Sequence, residues 1–286
     1  MSNSKSKAKI SNLVLPTVLL VFFFYFLIKS VFSSVFIKDL DRVNVLFYSK
    51  NTSYFSFSKN DVNYLVSFSP ETEVLVPGGY GYYRIGSLGK LVELEKKPDL
   101  LKKVFSATTS SFVDLYFYPR STEIYYGGSA TDFFPSMTEI LFAKSNANMI
   151  DRLFILVKLF DQNQSNYKII SLNDSSLSQQ QFTADFQGSF YKKSYRNKQV
   201  NVQILYKQSY STASLLSSMI DGEGIRVVDM SQSDENLPHC QIVTESPDFI
   251  SKAMADFFGC SVKTGKTTIS DIILKLGNLE KDWAAH

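Results

Sequence analysis

The sequence predicts a mixed α+β / α/β protein carried on one N-terminal membrane helix. Three observations predict it. An uncharged apolar run from Leu13 to Ile28 stands behind Lys5, Lys7 and Lys9. Short β-rich segments separated by turn residues fill positions 43–76. Strand-like and helix-like patterns then alternate in the last third of the chain.

The membrane segment comes first. With Ile10–Asn12 in front, the run approaches the ~20 residues that cross a bilayer core. Lys29 interrupts it, and Val31, Phe32, Val35, Phe36 and Ile37 continue an apolar stripe to Lys38. Lys29 can snorkel to the interface. The lysines in front place the N-terminus in the cytoplasm and the body outside it. A cleaved signal peptide is the competing reading, with Val31-Phe32-Ser33 as its cleavage site. The longer uncharged run favours a retained single-pass anchor over residues 1–38.

About 250 residues remain, enough for one large domain or two small ones. Hydrophobic residues make up 44% of the chain, so a core can form, and the 24 Phe and 16 Tyr favour strands. The net charge is +3, with much of the excess in the N-terminal tail. That balance excludes an electrostatic nucleic-acid footprint.

Strands are expected at Val43–Tyr48, Tyr54–Ser58, Val62–Phe68 and Thr72–Val76. Pro77-Gly78-Gly79-Tyr80-Gly81 ends that meander. Ser87–Lys96 and Pro98–Thr108 read as helices, with proline in the favoured first turn of the second. Phe112–Tyr118 and Thr122–Tyr126 read as strands, Met149–Phe160 as a strongly apolar helix, and Tyr167–Leu172 as a strand. Together 39–172 form a mixed α/β domain. Residues 173–198 form a linker, its polar part rich in Ser, Gln, Asn and Asp. Beyond it, 199–286 give the order β-α-β-β-α-β-β. Its strands are expected at Val200–Tyr206, Ile225–Met230, Cys240–Thr244, Cys260–Lys263 and Ile272–Leu276. Helices fall at Ser209–Asp221, ended by Gly222 and Gly224, and at Pro247–Phe258, ended by Gly259. That order suggests a small sheet with helices on one face.

Chemistry is sparse. Cys240 and Cys260 exclude a disulfide scaffold by number. Two buried free thiols are the preferred reading, and a single bond between them is the alternative. His239 and His286 supply no zinc set and no Ser-His-Asp arrangement. No metal or cofactor is expected. Gly265-Lys266-Thr267 ends like a P-loop, but the first glycine of that motif would fall at Cys260. The loop Gly78-Gly79-Tyr80-Gly81-Tyr82-Tyr83-Arg84 is the foremost candidate site. Glycine amides and Arg84 could meet a phosphate there, and the tyrosines could stack on sugars. Its plain alternative is a glycine turn with half-buried tyrosines. Asp114 could pair with Arg120 or Arg152, structurally by default. The basic run Tyr191–Lys198 could touch anionic polymer or headgroups, though a solvated edge is its ordinary reading.

The C-terminal pattern resembles the LytR C-terminal domain that accompanies LytR-CpsA-Psr cell-envelope proteins. The resemblance rests on Val-Asn-Val-Gln-Ile-Leu at 200–205, Gly-Ile-Arg-Val-Val at 224–228 and the closing run 270–283. Residues 43–172 are similar to the catalytic domain of the same family through Val62–Pro77 and Phe112–Tyr118. The resemblance implies an extracytoplasmic phosphotransferase that moves glycopolymer from a polyprenyl-pyrophosphate carrier to the cell wall. Arginines, acidic residues and magnesium would surround the pyrophosphate. This chain departs from it: Pro77 is followed by Gly78-Gly79 where the family has an Arg-Asp pair, and the arginine-rich helix is reduced to Asp151-Arg152. The expectation is therefore a non-catalytic, anchored binding or scaffolding module for cell-wall polymer assembly. Its partners would be the bilayer and cell-wall glycopolymer, a polyprenyl-linked precursor or envelope proteins. The alternatives are an active transferase using Arg84, Arg120, Arg152 and Asp114 with magnesium, and a bitopic structural subunit of a membrane complex.

Overall fold

The computed structural model describes residues 4–38, 41–127, 133–160, 163–172 and 186–285. Helix α1 (Ser4–Ser33) includes an apolar span, Leu15–Ser33, none of which is buried by the rest of the chain. The expected apolar stripe through Ile37 does not continue that helix. The chain breaks at Ser34, which is fully buried and donates its hydroxyl to Asp151 Oδ1 at 2.6 Å. The amide of Val35 donates to the same oxygen at 2.8 Å and opens α2 (Val35–Lys38). Phe36 then turns onto the folded body, with its ring 5.5 Å from Phe154 and 6.2 Å from Phe57.

The first sheet has six strands in the order β7-β6-β1-β2-β3-β8. Strands β1 (Arg42–Phe47), β2 (Thr52–Ser58) and β3 (Asn63–Phe68) form an antiparallel meander. Parallel strands flank it: β6 (Leu115–Tyr118) beside β1, and β8 (Tyr167–Leu172) beside β3. Short β7 (Lys144–Ser145) closes the β6 edge. Strands β1 and β2 are buried along their whole length. One alternating set is mainly apolar (Val43, Val45, Phe47, Phe55, Phe57); the other combines Leu46 and Tyr54 with buried, hydrogen-bonded Arg42, Asn44 and Ser56, so each face of the sheet needs a cover.

On one face, Leu46, Tyr54, Val66 and Phe68 pack under α3 (Leu88–Glu95) and α4 (Asp99–Thr109). On the other, Val45, Phe55, Phe57 and Phe117 pack under α5 (Met137–Phe142) and α6 (Met149–Leu159). Capping boxes open the latter two helices, Ser136 with Glu139 and Asn148 with Asp151. The result is a three-layered body.

A separate hairpin pairs β4 (Glu73–Val76) with β5 (Gly81–Arg84), a strand the sequence reading placed inside a loop. The strand expected at Thr122–Tyr126 does not form. Tyr125 instead packs on the first core and makes a backbone bond to Gly86 O at 3.0 Å. Of the expected linker, 173–185 lie outside the described residues. Its remainder packs closely: Phe186 and Phe190 join the first core, and Tyr195 joins the C-terminal core.

The C-terminal sheet has five strands in the order β10-β9-β13-β11-β12. These are β9 (Asn201–Tyr206), β10 (Arg226–Gln232), β11 (Gln241–Thr244), β12 (Ser261–Thr264) and β13 (Ile272–Lys275). Three short-to-long helices accompany them: α7 (Lys193–Lys198), α8 (Tyr210–Glu223) and α9 (Phe249–Phe258), and α10 (Leu279–Asp282) closes the chain. Strands β10 and β13 both run parallel to β9, and β12 runs parallel to β11. Val202, Ile204, Ile242 and Leu274 form one buried face with Leu216 and Ile220 of α8 and Ile250 and Met254 of α9.

Cys240 and Cys260 are joined, which corrects the preference for free thiols. They immediately precede the parallel neighbours β11 and β12, whose register sets Gln241 opposite Ser261. That pairing brings their Cα atoms to 4.9 Å, within disulfide reach.

Helix α8 locks the two bodies together. Gly224 is its left-handed cap, at φ 103°. Gly222 lies inside the helix, where a Cβ would meet the Ser110 carbonyl oxygen at 1.7 Å, so its role is close approach rather than termination. Glu223 reaches across the seam and is fully buried. It accepts from the Phe112 amide at 2.8 Å and faces the Lys192 ammonium at 3.1 Å.

Candidate functional site

The residues singled out from sequence sit in separate places. Gly78 and Gly79 cap the β4–β5 hairpin with left-handed backbones. Their amides donate to the carbonyl of Ala284 at 3.0 and 3.3 Å, so an oxygen from the C-terminal end of the chain occupies the position proposed for a phosphate. Tyr80 donates its hydroxyl to Glu95 at 2.7 Å. Arg84 pairs with Glu71 at 2.9 Å, and the second oxygen of Glu71 accepts the Gly127 amide at 3.0 Å. Those two bonds hold the Glu71 carboxyl below its ordinary range.

Asp114 lies at the seam. It accepts from the Asn44 amide at 2.8 Å and from Lys192 at 3.4 Å, so its ionic partner is neither Arg120 nor Arg152. Arg120 donates to Phe142 O at 3.1 Å. Arg152 donates to Ile140 O and Ala143 O and lies over the Phe117 ring. Both arginines reach the C-terminal end of α5, where each satisfies carbonyls that the helix leaves open, and Arg84 and Asp114 lie elsewhere.

Within the basic run 191–198, Lys193, Arg196 and Lys198 are exposed, as a solvated edge would have them, but Lys192 is buried between Glu223 and Asp114, and Tyr195 is the buried residue of α7. The ammonium of Lys192 stands between the two seam carboxylates, 3.4 Å from Asp114 and 3.1 Å from Glu223.

A groove that the sequence reading did not single out lies at the carboxyl ends of β9 and β13 and encloses about 740 Å³. Because β10, β9 and β13 are parallel, their carboxyl ends open on the same edge. Crevices at such ends are the usual ligand sites of parallel sheets. Tyr206 ends β9, Ser209 caps α8 through the Thr212 amide, and Tyr210 begins that helix. The two tyrosine rings stand 5.9 Å apart, edge to face, and Tyr210 is 57% exposed.

Around them are Lys207, Gln208, Asn236 and the ion pair Lys275–Glu235. Lys207 reaches Asn236 Oδ1 at 3.3 Å. Glu280 fills the α8 N-terminus from α10, accepting the amides of Lys207, Gln208 and Ser209. The remaining groove offers an aromatic face beside mixed hydrogen-bond donors and acceptors. Such a surface suits a polar, ring-containing ligand rather than a simple anion. The signal in the sequence is Tyr206-Lys207-Gln208-Ser209-Tyr210, an aromatic–polar–aromatic run straddling a strand end and a helix start.

No protein-family model matches this chain, and no curated protein matches it at a significant level.

Proposed function

We propose that this protein is a single-pass membrane-anchored envelope protein whose extracytoplasmic body binds a saccharide polymer in the Tyr206–Tyr210 groove. The groove itself carries the reading, through its exposed tyrosine ring, its charge-balanced polar rim and its place at the carboxyl ends of parallel strands. The span Leu15–Ser33 and the lysines in front of it support the anchor and its orientation. The Cys240–Cys260 bond supports an oxidising compartment for the body. Asn148 of the body donates to Ser30 O at 3.0 Å and to Ser33 Oγ at 3.0 Å. That contact favours retention of α1 over its removal as a signal peptide.

The module reading follows the LytR-CpsA-Psr resemblance in layout: anchor, α/β body, connecting segment and a small C-terminal β-α-β-β-α-β-β unit. It assigns the protein to holding cell-wall glycopolymer or its assembly machinery rather than to transferring it. Arg84, with its Glu71 partner, and Asp114, with Lys192, are spent on structure, which favours the module over the transferase.

The test is retention of the full detergent-solubilised chain on immobilised cell-wall glycopolymer. Tyr210→Ala and Lys207→Ala are the variants, and Tyr82→Ala on the β4–β5 hairpin is the control. Saturable binding weakened about tenfold by Tyr210→Ala and unchanged by the control is expected. Equal binding by all four proteins would remove the groove from the function.

A further inference from the structure

Helix α6 carries a row of apolar side chains that the described body leaves uncovered. Met149, Leu153, Val157 and Phe160 recur on one side, spaced by four, four and three residues, and are 63, 50, 75 and 78% exposed. The opposite side of the helix, with Ile155 and Leu159, is committed to the core beneath the first sheet. A contiguous exposed apolar patch on a folded body marks a surface with a partner. On neighbouring α5, packed on the same face of the sheet, Met137 and Phe142 are also exposed, at 57 and 61%.

The position of α6 identifies the partner. Its N-terminal cap, Asn148, donates both to the Ser30 carbonyl and to the Ser33 hydroxyl, in the last turn of α1. Asp151, in its first turn, accepts the Ser34 hydroxyl and the Val35 amide and so fixes the exit of the chain from that helix. The 19-residue span Leu15–Ser33 is about 28 Å long, close to the ~30 Å of a bilayer core. Its last turn must then lie where hydrocarbon meets headgroups, and the start of α6 is hydrogen-bonded to that turn. Phe32, 73% exposed, extends the apolar surface onto α1 itself. The charged group in the exposed part of α6 is Lys158, which can reach headgroups while its stem lies along apolar surface.

The geometry points to α6 as an interfacial helix: its Met149–Leu153–Val157–Phe160 side rests in the bilayer surface and seats the body against the membrane. Amphipathic helices bind membranes in this way, with the apolar side at the acyl boundary. A body seated so is held at one orientation instead of swinging on α1. This inference rests on the anchor reading of α1.

The experiment uses the full chain in phosphatidylcholine–phosphatidylglycerol vesicles containing lipids brominated near the top of the acyl chains. Native Trp283 is buried in the C-terminal core and serves as the internal reference. Val157→Trp places a second fluorophore on the row at an exposed position that tolerates it. Val228→Trp places one on the outer side of the C-terminal sheet, where Val228 is 39% exposed.

Quenching of the added Val157→Trp emission by at least twofold, with the Val228→Trp and Trp283 emission unquenched, is expected. An unquenched Val157→Trp in a chain that stays with the vesicles through an alkaline wash would overturn the seating and leave the anchor standing. Shielding of Val157→Trp from aqueous quenchers without lipid quenching would assign the row to a second copy or another protein, and also overturn it. Release of the chain by the alkaline wash would remove the anchor and the seating together.

Discussion

The two sheets of this protein solve the same burial problem in opposite ways. In the first, both faces are covered, so consecutive residues such as Leu46 and Phe47 enter different cores. In the C-terminal sheet one face is covered by α8 and α9, and the other mixes half-buried Val243 and Ile273 with polar side chains, Gln203 donating to Asp229 at 2.7 Å. A doubly covered sheet has no free face and serves as a rigid body, fastened here to α1 through α6. A singly covered sheet keeps one face and its strand ends accessible, and the groove sits at those ends. The difference teaches that the open groove and the hydrogen-bonded link to α1 are carried by different sheets.

The largest expected effects test that contrast directly. Leu46→Ala and Phe47→Ala should each destabilise the first body by about 3 kcal/mol or more, because each empties a different core. In the C-terminal sheet the adjacent pair should split: Ile242→Ala costs about 3 kcal/mol, and half-buried Val243→Ala less than about 1 kcal/mol. Chemical unfolding of the variants in detergent measures all four. Equal costs for the C-terminal pair would mean that its second face is covered after all.

The disulfide comes next. Its cysteines are 20 residues apart, and a loop of that size confers about 3 kcal/mol. Cys240→Ser with Cys260→Ser should lower the melting temperature of the C-terminal body and leave the first body unchanged in protease protection. A third test concerns the seam. Gly222→Ala forces a methyl group against the Ser110 carbonyl and should cost about 1–3 kcal/mol, read as faster proteolysis between the two bodies.

The smallest expected effect is a pH slope. Burial pushes the Glu223 carboxyl up from its ordinary 4.5 to about 7, opposed by Lys192. The folded protein therefore holds that proton more tightly than the unfolded chain. The stability it contributes is complete below about 4.5 and is lost as pH rises through about 7. Glu223→Gln should flatten the decline of melting temperature between those limits. An unchanged slope in the variant would assign it to another group.

Much of the fold was legible because it rests on local periodicity. The uncharged run behind three lysines, the apolar, β-rich composition of Val43–Tyr48 and the helical spacing across Met149–Phe160 each mark a regular element. The rest depended on partners distant in sequence. Strand β5 reads as a glycine–tyrosine loop until it pairs with β4. Thr122–Tyr126 has strand composition, yet it finds no ladder and packs through Tyr125. The basic run 191–198 looks like solvated charge because nothing local announces that Glu223 and Asp114 receive Lys192. The candidate glycine loop was visible, but its acceptor, Ala284, lies some 200 residues away. The groove was overlooked because its tyrosines belong to two elements whose ends meet only in the folded sheet.

By itself the sequence determined the apolar span and the strand and helix segments with strong periodicity. These follow from composition and near-neighbour spacing, which the chain carries before it folds. Only the tertiary structure decided the pairing of the two cysteines, the burial of Lys192 with Glu223, the commitment of each arginine and the exposed row on α6. Each of those depends on which surfaces are left over once two sheets have been covered, and that remainder is a property of packing rather than of any local segment.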